Sequence, residues 1–256
     1  MRVKNKARAV LGLLLALLLT LAATPSEAQT QRMAIPSYFG PGALWTKLGA
    51  AAPRAGLAVI NPNSGPGDAV RADYVAQVEA ARARGVTILG YVHTSYGKRP
   101  LAEVQSEIER FNHWYKVNGI FFDEVTDDDA NLPYYIHCRA AAGTGHPTVV
   151  VVINPGAPVT EGYMAAADIV LTFESDYKTY LKRAADPAWA ARYPAKRFWH
   201  LIYAAPDAAA MRRAVLLSKK RNAGWVYVTP DDLPNPWDTL PEGPYWSDEL
   251  AALSGR

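Results

Sequence analysis

Eight short apolar runs, separated by stretches of helical composition, constrain the fold of this chain most strongly. Several of them, such as Val149–Ile153, are almost continuous in β-branched residues, which is typical of a strand buried on both faces. This alternation predicts βα units around a parallel sheet. The predicted strands are Ala34–Phe39, Leu57–Asn61, Thr87–His93, Gly119–Val125, Thr148–Asn154, Asp168–Glu174, Arg197–Tyr203 and Trp225–Thr229.

The intervening segments predict helices, because apolar residues recur in several of them at spacings of three and four. Eight such units match a single (β/α)8 TIM barrel better than a doubly wound sheet, which has fewer strands and a glycine-rich phosphate turn. Gly65-Pro66-Gly67 lacks that glycine spacing, so it predicts an ordinary loop. The predicted helices are Asp73–Arg84, Leu101–Tyr115, Tyr134–Ala142, Asp176–Ala185 and Ala208–Asn222, with shorter helices after the first and fifth strands.

The first 28 residues have the pattern of a secretory signal peptide. Four basic residues precede an apolar run, Val10–Ala23, and Ser26-Glu27-Ala28 is a small-x-small cleavage site. An uncleaved anchor is the alternative, but the run is shorter than the roughly 20 residues of a spanning helix. We therefore expect a secreted protein, extracellular or periplasmic, with one domain over residues 29–256 and no stable membrane span after cleavage.

The net charge, the cysteine count and the spacing of histidines and aspartates limit which ligands and cross-links this chain can have. Removing residues 1–28 takes four basic and one acidic residue from totals of 27 and 24, which leaves a neutral chain with no electrostatic reason to bind nucleic acid. The single cysteine, Cys138, excludes an intramolecular disulfide and a multi-cysteine zinc site. The histidines lack zinc-site spacing, and Asp127-Asp128-Asp129 lacks the calcium-loop pattern. We expect no metal, no cofactor and a monomer.

Polar residues concentrate at the carboxyl ends of the predicted strands, whereas the opposite ends are apolar. The catalytic residues of a barrel gather at the carboxyl ends, because the loops there surround the open mouth. This rule selects Tyr38, Asn61, Tyr91, His93, Asp123, Glu124, Asn154, Glu174, Tyr203, Tyr227 and Thr229.

Asp123, Glu124 and Glu174 are the most informative of these, because each follows an apolar strand directly. An ionised carboxylate at the edge of an apolar core is costly unless paired or solvated, and several together raise the pKa of at least one. One carboxyl then serves as acid and another as base or nucleophile, as glycosidic bond cleavage requires. The alternative is that Asp123 or Glu124 caps a helix or pairs with an arginine. Strand alternation predicts that only one of these two neighbours reaches deep into the mouth.

Aromatic residues accompany the carboxylates. Tyrosine and tryptophan have flat apolar faces with polar edges, which suit stacking on sugar rings. The candidates are Tyr38, Tyr91, Tyr203, Tyr227, Trp237 and Trp246. His93 is either a structural hydrogen-bonding group or a direct contact to the substrate. A G-x-S-x-G serine nucleophile motif is absent from the sequence.

Several of these segments resemble the spherulin 4-like, or spherulation-specific family 4, proteins. The asparagine-proline and paired-acid segments, in this order, are the specific part of the resemblance. The matching segments are Ile35–Phe39, Val59–Gly67, Gly90–Thr94, Gly119–Glu124, Asn154–Gly156 and Phe173–Glu174.

The resemblance implies a secreted (β/α)8 glycoside hydrolase without metal or cofactor, endo-acting on α-1,4-linked N-acetylgalactosamine in galactosamine-rich exopolysaccharides. Its acidic triad corresponds to Asp123, Glu124 and Glu174. Asp123 is then expected as nucleophile or oxocarbenium stabiliser, Glu174 as acid/base and Glu124 in support. The expected sugar contacts are Tyr38, Asn61, Tyr91, His93, Asn154, Tyr203 and Tyr227.

Two other functions remain possible on the sequence. A secreted, wall-associated barrel could bind glycans without cutting them, although it would then have no need for three carboxylates. A metal-dependent phosphodiesterase would need several histidine or aspartate ligands on different strands, and His93 is the one histidine so placed.

Overall fold

The computed structural model describes residues 31–254 and confirms the predicted barrel. Eight parallel strands are hydrogen-bonded in chain order, and the last pairs with the first to close the sheet. The predicted signal peptide lies outside the described residues. The strands are β1 (Arg32–Ser37), β2 (Ala55–Ile60), β3 (Thr87–His93), β4 (Gly119–Asp123), β5 (Val150–Ile153), β6 (Ile169–Asp176), β7 (Phe198–Tyr203) and β8 (Trp225–Val228).

Helical segments follow the strands as predicted, and one further α-helix, Gly243–Ser254, follows β8. The predicted helix Leu101–Tyr115 ends as an α-helix at Arg110 and continues as a π-helix over Phe111–Tyr115. Short 3-10 helices cover Asp129–Asn131, Glu161–Ala165, Ala188–Arg192 and Ala195–Arg197. The α-helices are α1 (Ala43–Ala50), α2 (Ala72–Ala83), α3 (Leu101–Arg110), α4 (Leu132–Gly143), α5 (Tyr177–Lys182), α6 (Ala208–Lys220) and α7 (Gly243–Ser254).

The sequence reasoning missed α7, and the reason is its composition. The buried positions of α7 are Trp246, Glu249 and Leu253, so a carboxylic acid interrupts the apolar stripe that would have predicted a helix. Glu249 is fully buried, and its Oε1 accepts a hydrogen bond from the backbone N–H of Val228 at 2.8 Å. Burial raises the pKa of Glu249 well above its usual value, so this side chain is a neutral acid that ties α7 to β8.

Aspartates at the end of β6 and in the loops after β4 and β7 cap the helical turns that follow. Asp128 accepts from the N–H of Ala130 at 3.0 Å and Asp207 from that of Ala210 at 2.8 Å, and Asp176 begins α5 in the same way. Such caps satisfy backbone donors that have no partner inside the helix. The aspartate run at 127–129 is therefore an exposed loop with a capping carboxylate.

The interior of the barrel is filled by large side chains. Tyr91 stacks on Phe121 with ring centroids 6.3 Å apart, and Phe121 meets the edge of Trp199 at 5.6 Å. Cys138 is buried in α4. Within residues 31–254, none of the helices is both long and apolar enough to cross a membrane.

Strand register determines which side chains meet at the carboxyl end of the barrel. His93, the last residue of β3, pairs with Asp123, the last residue of β4. Between β6 and β7 the register shifts after Leu171, so that Glu174 pairs with Leu201. Such irregularities are frequent beside active sites, because they re-aim one side chain without disturbing the rest of the sheet.

Glycine is required where β4 begins. A Cβ at Gly119 would lie 2.0 Å from the carbonyl oxygen of Val150 on the next strand, whereas a Cβ at Gly143, the last residue of α4, would meet nothing within 4 Å. We expect Gly119→Ala to lower the free energy of unfolding by at least about 1–3 kcal/mol, because the strands must separate. Gly143→Ala should be neutral or stabilising. Urea denaturation of both variants measures the difference, and equal stabilities would contradict this packing.

Candidate active site

One amide joins two of the predicted carboxylates. Asn154 follows β5, and its Nδ2 donates to Oδ1 of Asp123 at 2.7 Å and to Oε2 of Glu174 at 2.6 Å. Because both oxygens contact the same nitrogen, at 2.7 and 2.6 Å, they are at most about 5.3 Å apart. The structure thus brings together Asp123, Asn154 and Glu174, which come from three adjacent strands.

Glu174 has the strongest electrostatic perturbation of the predicted acids. Burial, followed by the negative charge of Asp123, raises the pKa of Glu174 to about 7. Hydrogen bonds from Asn154 and Trp237 favour the ionised form and oppose this rise. Near neutral pH, Glu174 therefore exchanges its proton readily, which is the property of a general acid or base.

Asp123 is the second member of the pair. Burial holds its pKa above the usual value, and hydrogen bonds from the Tyr91 hydroxyl, the Glu124 backbone N–H and Asn154 oppose this rise. Three donors to one carboxylate stabilise its charge. The arrangement therefore separates a carboxyl that keeps its proton, Glu174, from a carboxylate with more hydrogen-bond donors, Asp123.

Trp237 contacts the acid pair from the long loop between β8 and α7. Its indole N–H donates to Oε1 of Glu174 at 3.0 Å. The loop is held at both sides of this contact, because the N–H of Tyr38 donates to the Trp237 carbonyl at 3.1 Å and Nζ of Lys47 donates to the Pro241 carbonyl at 2.5 Å. The sequence predicts Trp237 as a candidate sugar-stacking ring; nothing in the sequence indicates that it hydrogen-bonds to an acid 63 residues away.

Glu124 lies apart from this pair. β4 ends at Asp123, Glu124 has a left-handed backbone (φ 52°), and the Nδ2 of Asn154 bonds to Asp123 and Glu174 but not to Glu124. Its Oε2 is 3.6 Å from Nδ1 of His93, and 40% of its side chain is exposed. Only one of the two neighbouring acids therefore reaches the amide, and the left-handed backbone after the end of β4, rather than strand alternation, separates them. Asp123 and Glu124 neither cap a helix nor pair with an arginine within the described residues.

Three of the predicted sugar contacts, Tyr38, Tyr91 and Tyr203, surround the pair. Tyr38 is half-buried and meets the buried Tyr91 edge to face, with ring centroids 5.6 Å apart. Burial and the charge of Asp123 hold the pKa of the Tyr38 hydroxyl well above its usual value. Tyr203, also half-buried, meets the edge of Trp237 at 6.2 Å.

Two other predicted contacts have partners within the protein. Tyr227 is fully buried, packs on Trp237 and donates to the Thr239 carbonyl at 3.4 Å, so its assignment as a sugar contact is corrected. The cause is that β8 ends at Val228, beneath the loop that carries Trp237. Asn61 uses its Oδ1 to accept from the N–H of Gly65 at 2.8 Å, which closes the loop after β2.

The part of the chain that the structure describes contains no candidate metal site. Over residues 31–254, no group of three or more histidine, cysteine or acidic side chains is arranged to hold a metal ion. The acids near the mouth instead bond to Asn154, Trp237 and Tyr91, or lie beside His93.

Residues 32–253 match the family model of Spherulation-specific family 4. The chain belongs to this family. Spherulin-4 of Physarum polycephalum is 32% identical to this family member over 156 residues, which cover 59% of the chain. The match spans 47% of that relative's length.

Solved structures are similar to this family member over most of its length. Aspergillus clavatus Sph3, crystallised in complex with GalNAc, is 25% identical, with a TM-score of 0.74 over 88% of this chain and 98% of that chain. A chitinase from Chromobacterium violaceum is 12% identical, with a TM-score of 0.58 over 88% of this chain and all of the chitinase chain. The second likeness is one of fold.

The Trp237 contact makes a testable prediction about the family member's buried acid. Trp237→Phe removes the indole donor and keeps an aromatic ring, so the pKa of Glu174 should rise by up to about one unit, since one hydrogen bond to a charged group contributes about 1.5 kcal/mol. Carbon-13 NMR titration of the glutamate carboxyls measures it, with Glu174→Gln identifying the resonance. Trp114→Phe on the π-helix is the control. An unchanged or lower pKa in Trp237→Phe would contradict the contact.

Proposed function

We propose that this protein is a secreted glycoside hydrolase that cuts an amino-sugar exopolysaccharide internally. The preferred substrate is an α-1,4-linked polymer of N-acetylgalactosamine and galactosamine. The observation that carries the proposal is the pair Asp123 and Glu174 on one amide, with one carboxyl poised to hold a proton at neutral pH. Family membership and the likeness to a structure with bound GalNAc support the sugar class.

Glu174 acts as the general acid. Its neutral form donates a proton to the oxygen of the leaving sugar, which makes departure of that sugar easier. Burial and the negative charge of Asp123 raise the pKa of Glu174 to about 7, so the protonated form predominates below that pH. The rate should consequently fall as pH rises above about 7, because Glu174 then loses the proton it must donate.

Asp123 stabilises the positive charge that develops at the anomeric carbon. In an inverting enzyme the two carboxyl groups are about 6.5–9.5 Å apart, because a water molecule must fit between sugar and base, whereas about 5–5.5 Å is typical of retention. The limit of about 5.3 Å between the Asn154-bonded oxygens supports retention. Retention follows whether Asp123 attacks the anomeric carbon or orients an assisting N-acetyl group.

The aromatic side chains Tyr38, Tyr91 and Tyr203 supply faces and hydroxyls for the sugar nearest the acids. His93 and Glu124 form a more exposed polar edge beside it. The predicted signal peptide, residues 1–28, would direct the enzyme out of the cytoplasm, where a polymer too large to enter the cell is accessible.

Substitution of either acid tests the proposal. The mature protein, residues 29–256, is incubated with partly acetylated α-1,4-galactosamine polymer, and soluble products are measured by mass spectrometry. Glu174→Gln and Asp123→Asn should each lower product release by about 10²–10⁴-fold, because each keeps the shape of its side chain but loses the acid or the charge. Asp127→Asn, on the exposed loop after β4, is the matched control and should release products like the parent.

The outcomes separate the alternatives. Product release by both acid variants at the parental rate would contradict the catalytic assignment. A folded parent that retains the polymer but releases nothing would indicate a carbohydrate-binding barrel. Activity abolished by a chelator and restored by a metal ion would indicate a metal-dependent hydrolase.

A further inference from the structure

Tyr96 is an exposed aromatic residue in the loop between β3 and α3, at the same end of the barrel as the acids. Its relative exposure is 57%, and the other large hydrophobic residues that are exposed in the described chain are all aliphatic. Within residues 31–254 its side chain makes no hydrogen bond and no ring contact. The ring therefore contributes little to the packing of the fold.

The backbone at Tyr96 is nevertheless held in an unfavourable conformation. Ser95 and Tyr96 both have left-handed backbones, with φ of 48° and 56°. This region is uncommon for residues other than glycine, and a bulky side chain makes it more costly. Such strain persists only where the surroundings enforce it, and it concentrates at functional sites.

Hydrogen bonds enforce this conformation and tie it to the acids. The N–H of Tyr96 donates to the Glu124 carbonyl at 2.7 Å, and the hydroxyl of Thr94 donates to the carbonyls of Asp123 at 3.0 Å and Glu124 at 2.8 Å. Farther along the loop, the N–H of Arg99 donates to the Thr94 carbonyl at 3.2 Å. Tyr96 is thus fixed against the residues that immediately follow β4.

A buried ion pair anchors the loop from the other side. Both terminal nitrogens of Arg99 donate to the carboxylate of Glu107 on α3, at 2.9 and 2.6 Å. Arg99 also donates to the His93 carbonyl at 3.1 Å, and its own carbonyl accepts from the Tyr134 hydroxyl at 2.8 Å. These contacts explain a rigid loop, but they leave the exposed tyrosine ring at its tip without a structural role.

We propose that Tyr96 forms an outer sugar subsite, on which a pyranose ring of the polymer stacks beyond the ring that is cleaved. This inference rests on the proposed function and adds a binding residue to it. A tyrosine has a flat apolar face and two side-chain torsions, so a loop that already fixes the backbone leaves little entropy to lose on stacking. Stacking remote from the reacting bond increases affinity for long chains over short ones.

The test separates binding from folding and from catalysis. Binding is measured by calorimetry in the Glu174→Gln background, which prevents cleavage, with partly acetylated α-1,4-galactosamine polymer and with its disaccharide. Tyr96→Gly removes the ring and relieves the left-handed backbone, so it should weaken polymer binding by roughly three- to tenfold without lowering the thermal midpoint. Tyr96→Phe keeps the stacking face and should bind the polymer like the parent.

The control is Leu216→Ala, which removes an exposed apolar side chain from α6 and should leave binding unchanged. Polymer binding by Tyr96→Gly equal to that of the parent would overturn the subsite while leaving the proposed function intact. Equal losses for polymer and disaccharide, or a loss in Tyr96→Phe as large as in Tyr96→Gly, would also overturn it. A folded Glu174→Gln parent that does not bind the polymer would overturn both the substrate class and the subsite.

Discussion

The hydrogen bonds of a single side-chain amide define the chemistry of this protein. Both N–H groups of Asn154 are used, one for Asp123 and one for Glu174, so two acids are held close that would otherwise repel each other when ionised. The amide oxygen of Asn154 is buried without a partner in the described chain, a cost of about 1–3 kcal/mol. An unsatisfied buried oxygen of this kind fits a side chain positioned for chemistry rather than for stability.

The closed barrel makes this arrangement possible. Three consecutive parallel strands, β4 to β6, end at the same rim, and each contributes one member of the acid–amide–acid group. The irregular register after Leu171 adjusts the last strand locally. The remaining partner, Trp237, comes from a loop fixed by contacts to Tyr38 and Lys47, so the acids are supported by parts of the chain far apart in sequence.

The fold could be predicted because its signals are local and repeated. Every predicted strand exists, and Thr87–His93 has the predicted bounds. Features that depend on tertiary contacts could not be predicted from the sequence. Helix α7 was overlooked because Glu249, neutral and buried, occupies an apolar position, and the burial of Tyr227 follows from a loop that sequence does not place.

The candidate site was predictable in part, for the same reason. Strand ends select Asp123, Asn154 and Glu174, because polar residues there interrupt apolar runs. That Asn154 is the bridge, that Glu124 turns away and that Trp237 supports Glu174 all depend on backbone angles and long-range contacts. Sequence leaves the separation of the acids open, and this separation decides the stereochemistry of the proposed reaction.

Proton NMR of the newly formed reducing end, recorded during hydrolysis of the α-1,4-linked polymer, is the most direct test of the amide-bridged acid pair. Acids held as close as the Asn154 bridge requires leave no room for a water molecule between base and sugar, so the account predicts that the α-anomer appears first and equilibrates later. Initial appearance of the β-anomer would contradict it, because inversion needs a wider separation than one shared amide nitrogen permits.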